Sequence, residues 1–179
     1  MGMQTRKLIR LQGYDYAQNG VYFITVCTQN RYEWFWRKNV GADSIRPDTP
    51  LPLSEYGRIT EKAIQSIPKH YPDVEIDHYC VMPNHIHIMV AIQQNHNGRM
   101  ISAPTISTII GQMKRWVSKQ IGFPIWQKSF HDHIIRSRAE YQQIWQYIEE
   151  NPLKWELDCY YNHSENEIVS VPHRRNPSV

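Results

Sequence analysis

Val81-Met82-Pro83-Asn84-His85-Ile86-His87-Ile88-Met89-Val90 is the stretch on which the reading of this chain turns. Two histidines bracket one isoleucine inside a run of strand-forming residues. Strand side chains alternate between faces, so His85 and His87 project to one side and Ile86 to the other, with the histidine Cα atoms roughly 6–7 Å apart. Two imidazoles at that spacing can lean together and chelate one metal ion. Pro83-Asn84 reads as a tight turn, which joins residues 74–82 and 85–92 as two strands of a hairpin. With nine histidines in the chain, chance alone supplies about half of one such spacing. A second one, His131-Asp132-His133, is indeed present. A lone His-x-His in a strand is more often a surface or structural pair than a metal site, and the context decides.

Upstream of the hairpin, Val21-Tyr22-Phe23-Ile24-Thr25-Val26-Cys27-Thr28 has the composition of a buried strand. Residues 34–53 begin with Trp34, Phe35 and Trp36 and turn polar and proline-rich, as in a hairpin or an insertion. Ser54 can cap a helix running to about residue 71, with Ile59, Ala63, Ile64 and Ile67 as its apolar stripe. After a polar loop over residues 93–103, a second helix is expected over 104–121, with Pro104 in its first turn. Ile106, Ile109, Ile110, Met113 and Val117 share one face there, and Lys114, Arg115, Ser118 and Lys119 lie mostly off it. Residues 125–136 read as a strand. Ser137-Arg138-Ala139-Glu140 matches a capping box that opens a third helix, which Asn151-Pro152 should interrupt near residue 150.

Strand, helix, hairpin, helix, strand is the order of an α+β, ferredoxin-like or RRM-like sandwich, with helices on one face of an antiparallel sheet. The third helix is an addition at the C-terminal end. Residues 1–157 are expected to form one domain, and residues 158–179 a polar, loose tail.

A chain of 179 residues with 41% hydrophobic and 12% aromatic content can build a real core, which excludes a disordered protein. The net charge of +3 permits nucleic-acid binding without arguing for it. Three cysteines (Cys27, Cys80 and Cys159) lack paired metal spacing and suit a reducing cytoplasm. No segment has the length and apolarity of a signal peptide or a membrane span, so a cytoplasmic location with no membrane partner is expected.

On the third helix, Tyr141, Ile144 and Ile148 form the expected buried stripe, and Tyr147 sits about 60° from Ile144 at its edge. Asn151 lies one turn further on the same side. A tyrosine at a stripe edge is usually a boundary residue with its hydroxyl in water. A phenol and an amide in one small domain with a two-histidine strand suggest more. The Asn151 carbonyl oxygen could complete a mixed nitrogen and oxygen site for Mg²⁺ or Mn²⁺.

Met82-Pro83-Asn84-His85-Ile86-His87, Trp126-Gln127, His133-Ile134-Ile135-Arg136 and Tyr147-Ile148-Glu149-Glu150-Asn151-Pro152 together resemble the single-tyrosine HUH transposases, and within them the REP-associated tyrosine transposases. Arg10-Leu11-Gln12-Gly13-Tyr14-Asp15-Tyr16, followed by Tyr22-Phe23-Ile24-Thr25 and Cys27-Thr28-Gln29-Asn30, extends the likeness, which runs from about residue 10 to 155. The resemblance implies a divalent ion, Mg²⁺ or Mn²⁺, held by His85, His87 and Asn151, and a nucleophile at Tyr147. Asn151 stands where many relatives place a glutamine. His133 matches a histidine of the subgroup without an assigned function and, with Gln127, is a candidate for active-site support. His131 departs from the family pattern.

The implied reaction is cleavage and rejoining of single-stranded DNA beside an imperfect hairpin, such as a REP palindrome, through a 5′-phosphotyrosine. The enzyme would act as a monomer or a homodimer. Lys114, Arg115, Lys119 and Arg136 are candidate phosphate contacts, and Trp116 or Trp126 a candidate stacking platform. Two other readings compete. A zinc hydrolase or zinc-structural protein would use both His-x-His pairs, and an RRM-like module would bind nucleic acid without cutting it. The first gives Tyr147 no role, and the second lacks its usual Gly-rich aromatic run around residues 85–92.

Overall fold

The computed structural model describes residues 19–38, 50–93 and 104–161. The motif at residues 10–16, most of the 93–103 loop, the middle of the 34–53 segment and the tail beyond residue 161 lie outside the described residues. The elements, in chain order, are β1 (Gly20–Cys27), α1 (Glu55–His70), β2 (Val74–Val81), β3 (His85–Ile92), α2 (Ile106–Ile121), β4 (His131–Ile135) and α3 (Arg138–Glu150). Short 3-10 turns follow β1 and α3. The four strands form one antiparallel sheet in the order β2-β3-β1-β4, which is the ferredoxin-like arrangement expected from the element order.

The sheet has two chemically different faces. Tyr22, Ile24 and Val26 of β1 and Ile86, Ile88 and Val90 of β3 are fully buried. They meet the apolar stripes of α1 and α2, whose Ala63, Ile64, Ile67, Ile106, Ile109, Ile110, Met113 and Val117 join the same core. Gln65 of α1 donates to the hydroxyl of Tyr79 on β2 at 2.7 Å, which marks this as the helix-covered side. The other face carries Phe23, Thr25 and Cys27 against Met89, His87 and His85, and α3 packs on that side, against β2. Trp145 of α3 lies flat on His78 with centroids 4.3 Å apart, and Tyr141 donates to Asp77 Oδ2 at 3.3 Å.

Ser54 caps α1 by accepting from the Gly57 amide at 3.1 Å and donates to the Trp34 carbonyl at 2.6 Å. Gly57 is there because a Cβ would meet the Phe35 carbonyl oxygen at 2.2 Å. The ends of the 34–53 segment meet in a bridge between Trp36 and Leu53.

Three boundaries differ from expectation. The last strand spans only His131–Ile135. The apolar residues before it, Ile125, Trp126 and Phe130, are buried as core plugs, and this stretch pairs only through an isolated bridge between Trp126 and Thr28 rather than as a strand. Thr105 rather than Pro104 precedes α2, accepting from the Thr108 amide at 3.2 Å. Asn151 does not leave helical geometry before Pro152. It keeps φ −57° and ψ −42°, and the chain tightens into the 3-10 turn Asn151–Leu157, so Asn151 stays one turn beyond Tyr147.

Candidate active site

β3 delivers both histidines to the face away from α1 and α2, where their β1 partners are Cys27 for His85 and Thr25 for His87. Both rings are buried, and their Nε2 atoms face each other at 3.0 Å. The remaining nitrogen of each ring is held: His85 Nδ1 lies 2.9 Å from Asn84 Oδ1, and His87 Nδ1 lies 2.9 Å from Thr25 Oγ1. Burial, helped by the nearby Arg31 guanidinium, pushes the His85 pKa down to about 3. Burial and then His85 push His87 well below the ordinary imidazole value, against the pull of Asp158. Both rings are therefore neutral at pH 7 and can offer lone pairs to a cation.

Tyr147 comes from α3, across the open face. Its oxygen lies 3.3 Å from His87 Nε2 within the same chain and donates to Asp158 Oδ2, also at 3.3 Å. Phe23 supports the pair, stacked on His87 at 5.1 Å and edge-on to Tyr147 at 6.1 Å. Burial raises the phenol pKa above its ordinary value, and the Asp158 charge raises it further, while the Asn151 amide acts the other way. Asn151 is buried, with its Nδ2 lacking a hydrogen-bond partner.

Asp158 is the site residue that sequence reading missed. Ligand atoms of His85, His87 and Asp158 all lie within 4.8 Å of one another. The expected loose tail begins too early, because residues 158–161 pack on the site. The Tyr160 ring sits 4.6 Å from His85, its carbonyl accepts from Asn84 Nδ2 at 2.8 Å, and Arg31 lies 5.1 Å over its ring. Arg31 reaches there through a left-handed turn, with φ 55° at Asn30 and 56° at Arg31. The signal available in the sequence was Tyr160-Tyr161, two adjacent aromatics in a segment otherwise polar enough for solvent.

The residue types fit a divalent cation. Two neutral nitrogens 3.0 Å apart subtend about a right angle at an ion about 2.1 Å from each, and the Asp158 carboxylate stands beside them. Among the described residues this grouping leaves out His131 and His133. His131 is exposed and pairs with Thr25 on β1, about two strand spacings, or about 10 Å, from His87. His133 is exposed too and binds Glu140 Oε1 at 2.6 Å. The four-histidine zinc arrangement is not formed.

The candidate DNA contacts are scattered. Lys114 Nζ donates to the carbonyls of Gln127, Lys128 and Ser129 at 2.6, 3.4 and 3.2 Å, which makes it a loop pin rather than a phosphate contact. Trp126 is buried against Phe35 and offers no face to a base. Gln127 is half-buried and its amide donates to the Cys27 carbonyl at 2.9 Å, at the end of β1 nearest the histidines. Arg115, Lys119 and the largely exposed Trp116 lie on α2, behind the sheet as seen from Tyr147. Arg136 is exposed at the junction of β4 and α3, on the same side as the site's helix.

No family model matches the chain. It is 30% identical to an uncharacterized protein of Haemophilus influenzae, over 89% of this chain and 95% of that one. It is 23% identical to a second Haemophilus influenzae protein, named "Putative REP-associated tyrosine transposase", over 92% and 93% of the two chains. A solved REP-associated tyrosine transposase, bound to a REP hairpin, superposes with TM-score 0.56 and 21% identity over 82% of this chain and 74% of its own. That likeness shows a shared fold. Along nearly its whole length this chain is therefore similar to a protein named as a REP-associated tyrosine transposase, and it shares the fold of a solved one.

Proposed function

We propose that this protein is a metal-dependent DNA strand transferase that cuts and rejoins single-stranded DNA beside a hairpin of the REP type. The observation that carries the reading is the 3.3 Å approach of the Tyr147 oxygen to His87 Nε2, inside a pair of neutral imidazoles. The hairpin is taken from the transposase of like fold that is solved with one.

In this reading His85 and His87 would hold Mg²⁺ or Mn²⁺ through Nε2, with Asn151 as a further oxygen ligand and Asp158 supplying negative charge. Such an ion would supply charge neutralisation at a non-bridging phosphate oxygen. Tyr147 attacks the phosphorus, and its proton passes to Asp158 Oδ2, which already accepts that hydrogen. The new bond joins phosphorus to the phenolic oxygen. The bond to the 3′ oxygen breaks and that oxygen takes up a proton from solvent, leaving a 3′-hydroxyl and a 5′-phosphotyrosine. That ester retains the energy of the original link, so a 3′-hydroxyl can attack it and reseal the strand without a nucleotide cofactor. Asn151 Nδ2 steadies the phenolic oxygen as it gains charge. The exposed Arg136 is a candidate phosphate contact, and a cytoplasmic setting suits the free thiols.

The test is a labelled REP-type hairpin oligonucleotide with a single-stranded flank, incubated with Mn²⁺. A covalent protein–DNA adduct is expected from the native protein and none from Tyr147→Phe. An adduct that survives in that variant removes Tyr147 from its role.

A further inference from the structure

The two histidines are held from behind by different kinds of group, and the difference has chemical content. Asn84 is fully buried. Its Nδ2 donates to two carbonyls, Arg31 at 3.2 Å and Tyr160 at 2.8 Å. Carbonyls only accept, so the nitrogen end of this amide is fixed there and its Oδ1 must face His85 Nδ1, 2.9 Å away. An amide oxygen also only accepts. His85 therefore carries its proton on Nδ1, and its Nε2 is a bare lone pair aimed at His87.

His87 has no such lock. Its Nδ1 lies 2.9 Å from the Thr25 hydroxyl, which can give or take a hydrogen bond. Two lone pairs cannot face each other across 3.0 Å without a proton or a cation between them. Two patterns satisfy both rings. In one, His87 Nε2–H donates to His85 and Nδ1 accepts from Thr25. In the other, both Nε2 lone pairs face a cation and His87 Nδ1–H donates to Thr25 Oγ1. The ring has one proton in either pattern, and the hydroxyl keeps its own and merely rotates. Valine in place of Thr25 would serve neither pattern, and a carboxylate or amide oxygen would lock the second.

We propose that Thr25 is the positioning residue of His87: its rotating hydroxyl lets the ring hold its proton on Nδ1 and present Nε2 to a divalent cation, while Asn84 fixes His85 permanently in that form. The position fits the task. Thr25 is buried, directly opposite His87 on the neighbouring strand, and its neighbours on the same face of β1 are Phe23 and Cys27. The inference rests on the site reading above, in that the cation is the one proposed there.

Mn²⁺ affinity of the full-length chain, measured by electron paramagnetic resonance, reads the proposal without DNA or activity. Thr25→Val keeps the shape and the strand preference and is expected to weaken Mn²⁺ binding by about 10- to 100-fold. Thr25→Ser restores the hydroxyl and should bind within about threefold of the native protein. In ¹⁵N-histidine spectra of native protein saturated with Mg²⁺, His87 should carry its proton on Nδ1. Native affinity in Thr25→Val, equal losses in both variants, or a His87 proton on Nε2 in the saturated native protein would each overturn the role of Thr25. Failure of the native protein to bind Mn²⁺ at all would instead sink the site reading on which it rests.

Discussion

The Tyr147 phenol is hard to ionise in the surroundings its own chain provides, because burial and then the Asp158 carboxylate both hold its proton on. Asp158 can thus be read as a hindrance or as a working member of the site, and a substitution separates the two. Asp158→Asn removes the charge that raises the phenol pKa, so a mere hindrance predicts faster adduct formation. A charge partner for the cation and an acceptor for the phenolic proton predict the reverse. We expect the adduct rate to fall by about 10- to 100-fold, measured on the hairpin substrate at saturating Mn²⁺. The histidines make a second prediction. His85 titrates near pH 3 in the folded chain and near 6.5 when unfolded. Its neutral burial therefore contributes full stability above about pH 6.5, and that contribution is lost as the pH falls toward the folded value. At pH 5 the loss is about 2 kcal/mol, so urea unfolding should show a smaller drop between pH 7.5 and 5 in His85→Gln than in the native protein. The shared face of the histidine pair, and the placing of Asn151 one turn beyond Tyr147, were legible in the sequence because strand and helix periodicity fix their directions. Asp158 was not, since no periodicity runs through a 3-10 turn and its exit.

α3 is attached unlike any other element. It buries only Ile148 completely, and it sits on a sheet face built from histidine, threonine and phenylalanine. The stripe read from the sequence, Tyr141, Ile144 and Ile148, does face the sheet, but the surface beneath it is polar and Tyr141 and Ile144 stay half-buried. The helix is held instead by discrete contacts: Tyr141 to Asp77, Trp145 on His78, Glu149 to His78 at 3.0 Å, and Glu140 to His133. The capping box expected at Ser137 is half-formed. Ser137 accepts from the Glu140 amide, while the Glu140 carboxylate takes the Arg136 amide at 2.7 Å and His133. Those partners were invisible in sequence because they come from across the β4–α3 corner. A helix so held should loosen without unfolding the sheet. Trp145→Ala is expected to cost about 1 kcal/mol of global stability or less and to lower the adduct rate by about tenfold or more, since Tyr147 is then less often over His87. Hydrogen exchange should show α3 amides exchanging faster than those of β1 and β3 already in the native protein.

The whole molecule is a sheet used twice, once as the wall of a hydrocarbon core and once as a platform for chemistry. Its topology followed from the order of elements, because a strand–helix–hairpin–helix–strand chain has few ways to close an antiparallel sheet. What the order could not convey is that the third helix crosses to the bare face, which puts three layers where two were implied and brings residues 60 positions apart to 3.3 Å. No helix among the described residues is long and apolar enough to cross a membrane. Since Tyr147 meets His87 of its own chain, each molecule carries both halves of its site. Adduct formation should therefore rise linearly with protein concentration. Mixing Tyr147→Phe, which keeps the histidines, with His87→Ala, which keeps the tyrosine, should yield no adduct. If helices were exchanged between copies, a quarter of randomly formed dimer sites would pair an intact tyrosine with an intact histidine pair, or about a quarter of native activity by simple mixing statistics. Recovery near that level would mean that the contact within one chain is not the one that reacts.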